Sequence, residues 1–227
     1  MTTDPERLPR RQIDKFTERR NELAQAALMT LAEIGYARAS LREIAQNSQF
    51  THGVLHYYFK DKFDLITCSV RQYKAECVTR YDTLIAAAKR FEDLESGFLK
   101  ALATTMCDDA HMHRLWYDLR SQALYEEELR QDVAFIDQSL SDMIARVTAR
   151  FRLLAGAPQI ISDGEMYPMY DGLFEHYLLK HVSGQPKAAS ELKAAVRKLI
   201  RLSMGMSGAH RPVTKAIKHP SARRGRN

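Results

Sequence analysis

Between Phe50 and Lys62 the chain reads FTHGVLHYYFKDK. His52 and His56 stand four residues apart and Tyr57 follows, so a short helix here would turn them outward together with Gly53, with Val54 at the margin of that face. Imidazole and phenol groups donate and accept hydrogen bonds, and a valine methyl suits a thymine methyl. This is the chemistry of reading base edges in a major groove. The free amides at Thr51 and His52 suit a phosphate, as does the Lys62 ammonium at the start of the next helix. Two other groupings invite a catalytic or metal reading: Asp171 with Glu175 and His176, and His111 with His113. The run Cys107 to His113 has no zinc-site spacing and reads as a loop. GxSxG, HExxH, P-loop and paired-cysteine motifs are missing from the sequence, so an enzyme is not expected, nor a metal or cofactor.

The elements that must position these groups follow from caps and periodicity. Thr17 is placed to cap a first helix in which Leu23, Ala26, Ala27, Leu31 and Ile34 recur at helical spacing, with Gly35 closing it. Ser40 and Glu43 form a capping-box pattern ahead of a short second helix whose apolar side is Leu41, Ile44 and Ala45. Asn47-Ser48-Gln49 breaks it. Thr51 caps a third helix, buried through Val54, Leu55, Tyr58 and Phe59. Two short helices joined by a tight turn, the second polar outside, make a helix-turn-helix pattern. Asp61 caps a fourth helix, read as one long lever from Phe63 to about Lys89.

IAQNSQFTHGVLHYYFKDKFDL, Ile44 to Leu65, resembles the DNA-binding domain of the TetR family of bacterial repressors. Ile44, Ala45, Thr51, Gly53, Leu55, Tyr58, Phe59, Lys62 and Leu65 fit the family pattern, and with the first helix the likeness spans about residues 17–66. It implies DNA contacts from Thr17, Ser40, Thr51, His52, Gly53, Val54, His56, Tyr57 and Lys62. Two positions depart from the pattern. Gln49 stands where the family has a turn glycine, which implies a strained left-handed residue. His56 stands where the family often has a phosphate-contacting tyrosine.

The rest reads as helices beginning near Leu94, His113, Glu126, Pro158 and Ala188, about nine in all. The chain is thus expected to be all-α: a three-helix DNA-binding domain, then a larger helical regulatory and dimerisation domain. Pro168 predicts a kink near Gly164. Met106, Trp116 and Arg120, with Tyr167, Tyr170, Asp171, Phe174 and Glu175, are candidates for a ligand cavity; the competing reading is plain core or dimer seam. Asp171 or Glu175 with aromatics would hold a cation, whereas Arg120 would suit a carboxylate. The segment Tyr170 to Pro186 resembles the BetI-like branch of the family, which implies a four-helix dimer interface. Gly172, Leu192, Val196, Leu199 and Ile200 are its candidates.

Composition limits the partners. The net charge of +6 equals the six basic residues beyond Gly205 (Arg211, Lys215, Lys218, Arg223, Arg224 and Arg226), so residues 1–204 are formally neutral and net charge says nothing about a DNA face. The expected boundaries are a flexible basic arm over 1–16, a DNA-binding domain over 17–62, a ligand-binding and dimerisation domain over 63–204, and a disordered basic tail over 205–227. Three unpaired cysteines, an N-terminus without a signal core and no long apolar run indicate a cytoplasmic protein without membrane attachment. The expected partners are a double-stranded DNA operator, a small-molecule effector and a second copy of the chain. The expected function is that of a homodimeric repressor released from a palindromic operator; an activator, or an effector-independent DNA-binding protein of the same fold, is the alternative.

Overall fold

The structure is a computed structural model that describes residues 7–206, with side chains from Ile13 onward. Of the expected arm over 1–16 and tail over 205–227, residues 1–6 and 207–227 lie outside the described residues. Those described form ten helices and no strand. They are α1 (Arg7–Ile34), α2 (Leu41–Gln46), α3 (His52–Tyr58), α4 (Lys62–Cys77), α5 (Asp82–Ala87), α6 (Phe91–Asp108), α7 (Ala110–Gln122), α8 (Glu127–Ala155), α9 (Asp163–Val182) and α10 (Ala188–Ser203).

Four boundaries differ from expectation. Helix α1 is already formed at Arg7, the first described residue, so residues 7–16 are helical rather than a flexible arm and Thr17 lies inside the helix instead of capping it. The long lever from Phe63 to Lys89 is broken: α4 ends at Cys77, and a turn through Val78–Tyr81 leads into α5. Tyr81 points inward there, 3 % exposed and edge-on to Phe98 at 4.9 Å. The break at Cys107–His113 narrows to Asp109 alone. Helix α9 begins at Asp163, five residues before Pro168, on a full capping box of Ser162 and Glu165.

Helix α8 is the central post. Leu129, Val133, Ile136, Leu140, Ile144, Val147 and Phe151, one stripe at helical spacing, are all buried. Helix α10 closes the other side against α6 and α9. Buried Glu95 on α6 accepts from Arg201 at 2.9 and 3.1 Å and from Arg197 at 3.3 Å, which locks α10 in place. Gly35 and Gly156 end α1 and α8 with φ of +74° and +59°, conformations that cost a side-chain-bearing residue more.

Candidate functional site

The outward face of α3 is built from below. The Thr51 hydroxyl accepts the Val54 N–H at 3.3 Å and starts the helix. Leu55 and Phe59 are fully buried and anchor it, while Tyr58 is half-buried and stacks on Phe16 of α1 at 4.9 Å. His52, Gly53, His56 and Tyr57 are exposed, as is Val54, which belongs to this face rather than the buried one. The His52 and His56 rings meet edge to face, with their Nε2 atoms 3.0 Å apart. One nitrogen must donate and the other accept, so the pair holds its rings in a fixed relation.

The supports around α3 are mixed. Ser40 is half-buried and accepts the Glu43 N–H at 3.1 Å, so it caps α2. Gln49 is not strained, because no non-glycine residue among those described has a positive φ. Lys62 is the first residue of α4, behind its Asp61 cap, and its ammonium lies 4.7 Å from the Tyr36 ring centroid and 5.3 Å from that of Phe63. Arg20 went unnoticed in the sequence. It donates to the Tyr58 carbonyl at 3.2 Å, pairs with Asp64 and covers the Phe59 ring, tying α1 to the α3–α4 junction. Arg42, also unremarked, borders a depression with Thr51 and His52.

A second site lies between α4, α7, α8 and α9. It is a cavity of about 80 Å³, and Trp116, Tyr167, Tyr170, Asp171 and Phe174 from the sequence candidates line it. The other three do not. Met106 is buried beside it, Glu175 is exposed on the far side of α9, and Arg120 is tied up by Asp171 and Asp137. Sequence reading missed Lys74 and Thr105, which come to the cavity from α4 and α6, where His113 and Tyr117 join them from α7. Burial, with Lys74 and Arg80 nearby, holds the His113 imidazole down at about 2, so it is neutral; its Nε2 is 3.2 Å from the Thr105 hydroxyl. Burial pushes the Tyr117 phenol far up, and Asp171 adds to this while accepting its hydroxyl at 3.0 Å. Among the described residues no group of three His, Cys, Asp or Glu is placed to hold a metal.

The two sites are joined through α7. The Tyr36 N–H, just beyond α1, donates to the Asp118 carboxylate at 2.9 Å, and Asp118 lies two residues from Trp116.

Residues 23–67, which contain α2, α3 and the start of α4, match the family described as bacterial regulatory proteins, tetR family. The chain is 27% identical over 164 residues to the HTH-type transcriptional regulator BetI of Stenotrophomonas maltophilia, covering 69% of this chain and 79% of that one. It is 25% identical over 202 residues to BetI of Cronobacter sakazakii, covering 85% and 94%. Residues 23–67 match the TetR family, and the chain is similar to TetR-family transcriptional regulators. It is related to the BetI regulators and binds DNA; its relatives are regulators, not enzymes. The fold agrees. A TetR-family regulator from Agrobacterium tumefaciens superposes with a TM-score of 0.65 at 19% identity, covering 83% of this chain and 99% of that one. FadR of Bacillus subtilis, solved with stearoyl-CoA, gives 0.60 at 18% identity, covering 81% and 97%.

The candidate dimer stripe on α10 needs correction. Leu192, Val196 and Ile200 are fully buried within their own chain. Each contributes about 1.5–3 kcal/mol there, so none is free to cover a second copy. Helical periodicity marks an apolar stripe but not what covers it. Leu199 is half-buried, and Gly172 is open on the outer face of α9, where a Cβ would meet nothing within 4 Å. Met169, Leu179 and Val182 of α9 and Leu202 of α10 are exposed apolar residues on this part of the molecule.

Proposed function

We propose that this regulator is a homodimeric, cytoplasmic repressor that releases a near-palindromic operator when a small molecule enters the α4–α9 cavity. The observation that carries the reading is the anchored and open α3: Leu55 and Phe59 are buried beneath an exposed row of His52, Gly53, Val54, His56 and Tyr57. In this reading His52, Val54, His56 and Tyr57 meet base edges. The Thr51 end of α3, Arg42 and Lys62 meet phosphates, and Ser40 supports α2. A second copy joins through the outer faces of α9 and α10, with Gly172 allowing close approach and Leu179, Leu199 and Leu202 supplying apolar area.

Release follows from differential binding. A ligand shifts the dimer only if it binds the DNA-incompetent arrangement better than the competent one. Trp116 and Tyr117 line the cavity on the same helix as Asp118, which holds the Tyr36 amide at the foot of the DNA-binding head. Repacking α7 around a ligand therefore moves the support of that head. FadR's stearoyl-CoA does not transfer, because a cavity of about 80 Å³ holds no long acyl chain.

Selection of bound fragments from random duplex DNA tests the reading. Two inverted half-sites are expected, with centres one helical turn apart, about 34–36 Å. Enrichment of one asymmetric site, or none, would overturn it.

A further inference from the structure

The cavity walls have spare hydrogen-bond donors and no spare carboxylate. Lys74 is 5 % exposed and lines the cavity. Its ammonium lies 5.1 Å from the Trp116 ring centroid and 5.7 Å from that of Tyr73, and it has no hydrogen bond or ion pair among the described residues. Trp116 Nε1 and the Tyr170 hydroxyl, on two further lining residues, are buried without partners.

The acidic groups nearby are already engaged. Asp171 pairs with Arg120 and accepts from Tyr117, while Asp137 takes Arg120 at 3.3 Å and the Tyr167 hydroxyl at 2.5 Å. Asp109 takes Arg80 at 3.0 Å and Thr105 at 3.1 Å. Counted together, the three acids balance Lys74, Arg80 and Arg120. Unmet donors therefore select the ligand, not net charge, and a buried ammonium with three unused N–H groups is the costliest of them. A ligand cation would meet Lys74 already seated over Trp116, the aromatic face it would need.

We propose that the cavity binds a compact monocarboxylate with an apolar body, its carboxylate paired with Lys74 and its body packed between Trp116, Phe174 and the α8 side chains Leu140 and Ile144. This deepens the effector-responsive reading above and rests on it. Burial lowers the Lys74 ammonium to about 8, so it still carries its charge at neutral pH, and neutral His113 does not compete for the anion. A volume of about 80 Å³ has room for about three waters at their liquid share of about 30 Å³ each, the scale of a short chain rather than a lipid.

Trp116 is the chain's one tryptophan, so its emission reports on this cavity alone. The full-length protein is titrated with acetate, butyrate, benzoate and phenylacetate, with the matching amides, and with phenyltrimethylammonium. At least one carboxylate is expected to shift the emission saturably and to bind more tightly than its amide. In Lys74→Met, checked for folding by circular dichroism, that preference should shrink at least about tenfold, the scale of a hydrogen bond to a charged group, with Lys74→Arg recovering part of it. Equal or tighter binding of the amide or the cation to the unaltered protein overturns the proposal, whether or not the variant folds. So does silence from every carboxylate, or an undiminished preference in folded Lys74→Met. Selected operator DNA separates this from the regulatory reading. An amide or cation that binds at Trp116 and releases DNA overturns the carboxylate and keeps the effector. A carboxylate that binds through Lys74 and leaves DNA binding unchanged supports the site and overturns its regulatory role.

Discussion

The backbone N–H of Tyr36 donates to the carboxylate of Asp118 at 2.9 Å, a bond between residues 82 apart that spans from the end of α1 to the middle of α7. Burial raises the Tyr36 phenol to about 12, with Glu126 and Asp118 adding to the effect, and its ring carries the Lys62 ammonium. Lys62, the end of α1 and the cavity helix thus meet at one tyrosine.

Asp118→Ala removes the acceptor and leaves a partly buried N–H unpaired. Unfolding free energy in urea is expected to drop by about 1–3 kcal/mol. The Tyr36 amide should also exchange with deuterium faster in the folded state. Unchanged exchange would show that the bond does not hold the junction.

Lys62→Ala is expected to weaken binding to all duplex sequences alike and to reduce the slope of log affinity against log salt by about one phosphate. An unchanged slope, with the protein still folded, would mean that Lys62 serves only to stack on Tyr36 and Phe63.

The buried Lys74 makes stability depend on pH in a defined direction. Its folded value is lowered from 10.5 to about 8, so between those limits the unfolded chain binds the proton and the folded chain does not. Stability should therefore rise as pH climbs from about 8 towards 10.5, by an amount on the order of 3 kcal/mol, and the cost of the charge is fully present below the lower limit. Cys77, Arg80, Asp137 and Asp171 are the groups acting on it, and His113 is neutral throughout. Urea midpoints compared with Lys74→Met isolate the effect. A difference between the two proteins that stays constant with pH would show that Lys74 is not held down by burial. Carboxylate affinity should fall over the same rise in pH.

Leu179→Glu, on the open face of α9, is expected to yield folded monomers by light scattering. Leu192→Ala is expected to cost about 2–5 kcal/mol of stability, as large-to-small core changes do, without a direct change in assembly. Dimers persisting in the first variant would place the interface elsewhere.

Helix α3 was legible because every signal for it is local. Thr51 caps it, Leu55 and Phe59 anchor it one turn apart, and the polar residues between them have nowhere to point but out. The α8 stripe was legible for the same reason. The cavity was half legible. Its α7 and α9 aromatics cluster in the sequence, whereas Lys74 and Thr105 arrive from helices that only the tertiary fold brings together. Arg120 read as a ligand for a carboxylate because its partners, Asp137 and Asp171, lie on two other helices. The α10 stripe was correctly seen as apolar and wrongly assigned to a partner, since its own α6 and α9 cover it. The lever was read as continuous because the apolar spacing runs through Val78–Tyr81, where only the backbone turns.

The measurement that most directly tests the central claim is the affinity of a selected operator for a variant carrying His52→Ala, His56→Ala and Tyr57→Ala, read by fluorescence anisotropy beside an unrelated duplex. These side chains are exposed, so the variant should keep its helical circular dichroism. A base contact is worth about 1–3 kcal/mol, so the preference for the operator should fall at least about tenfold while binding to the unrelated duplex changes little. An operator preference equal to that of the unaltered protein would contradict the assignment of α3 as the DNA reader.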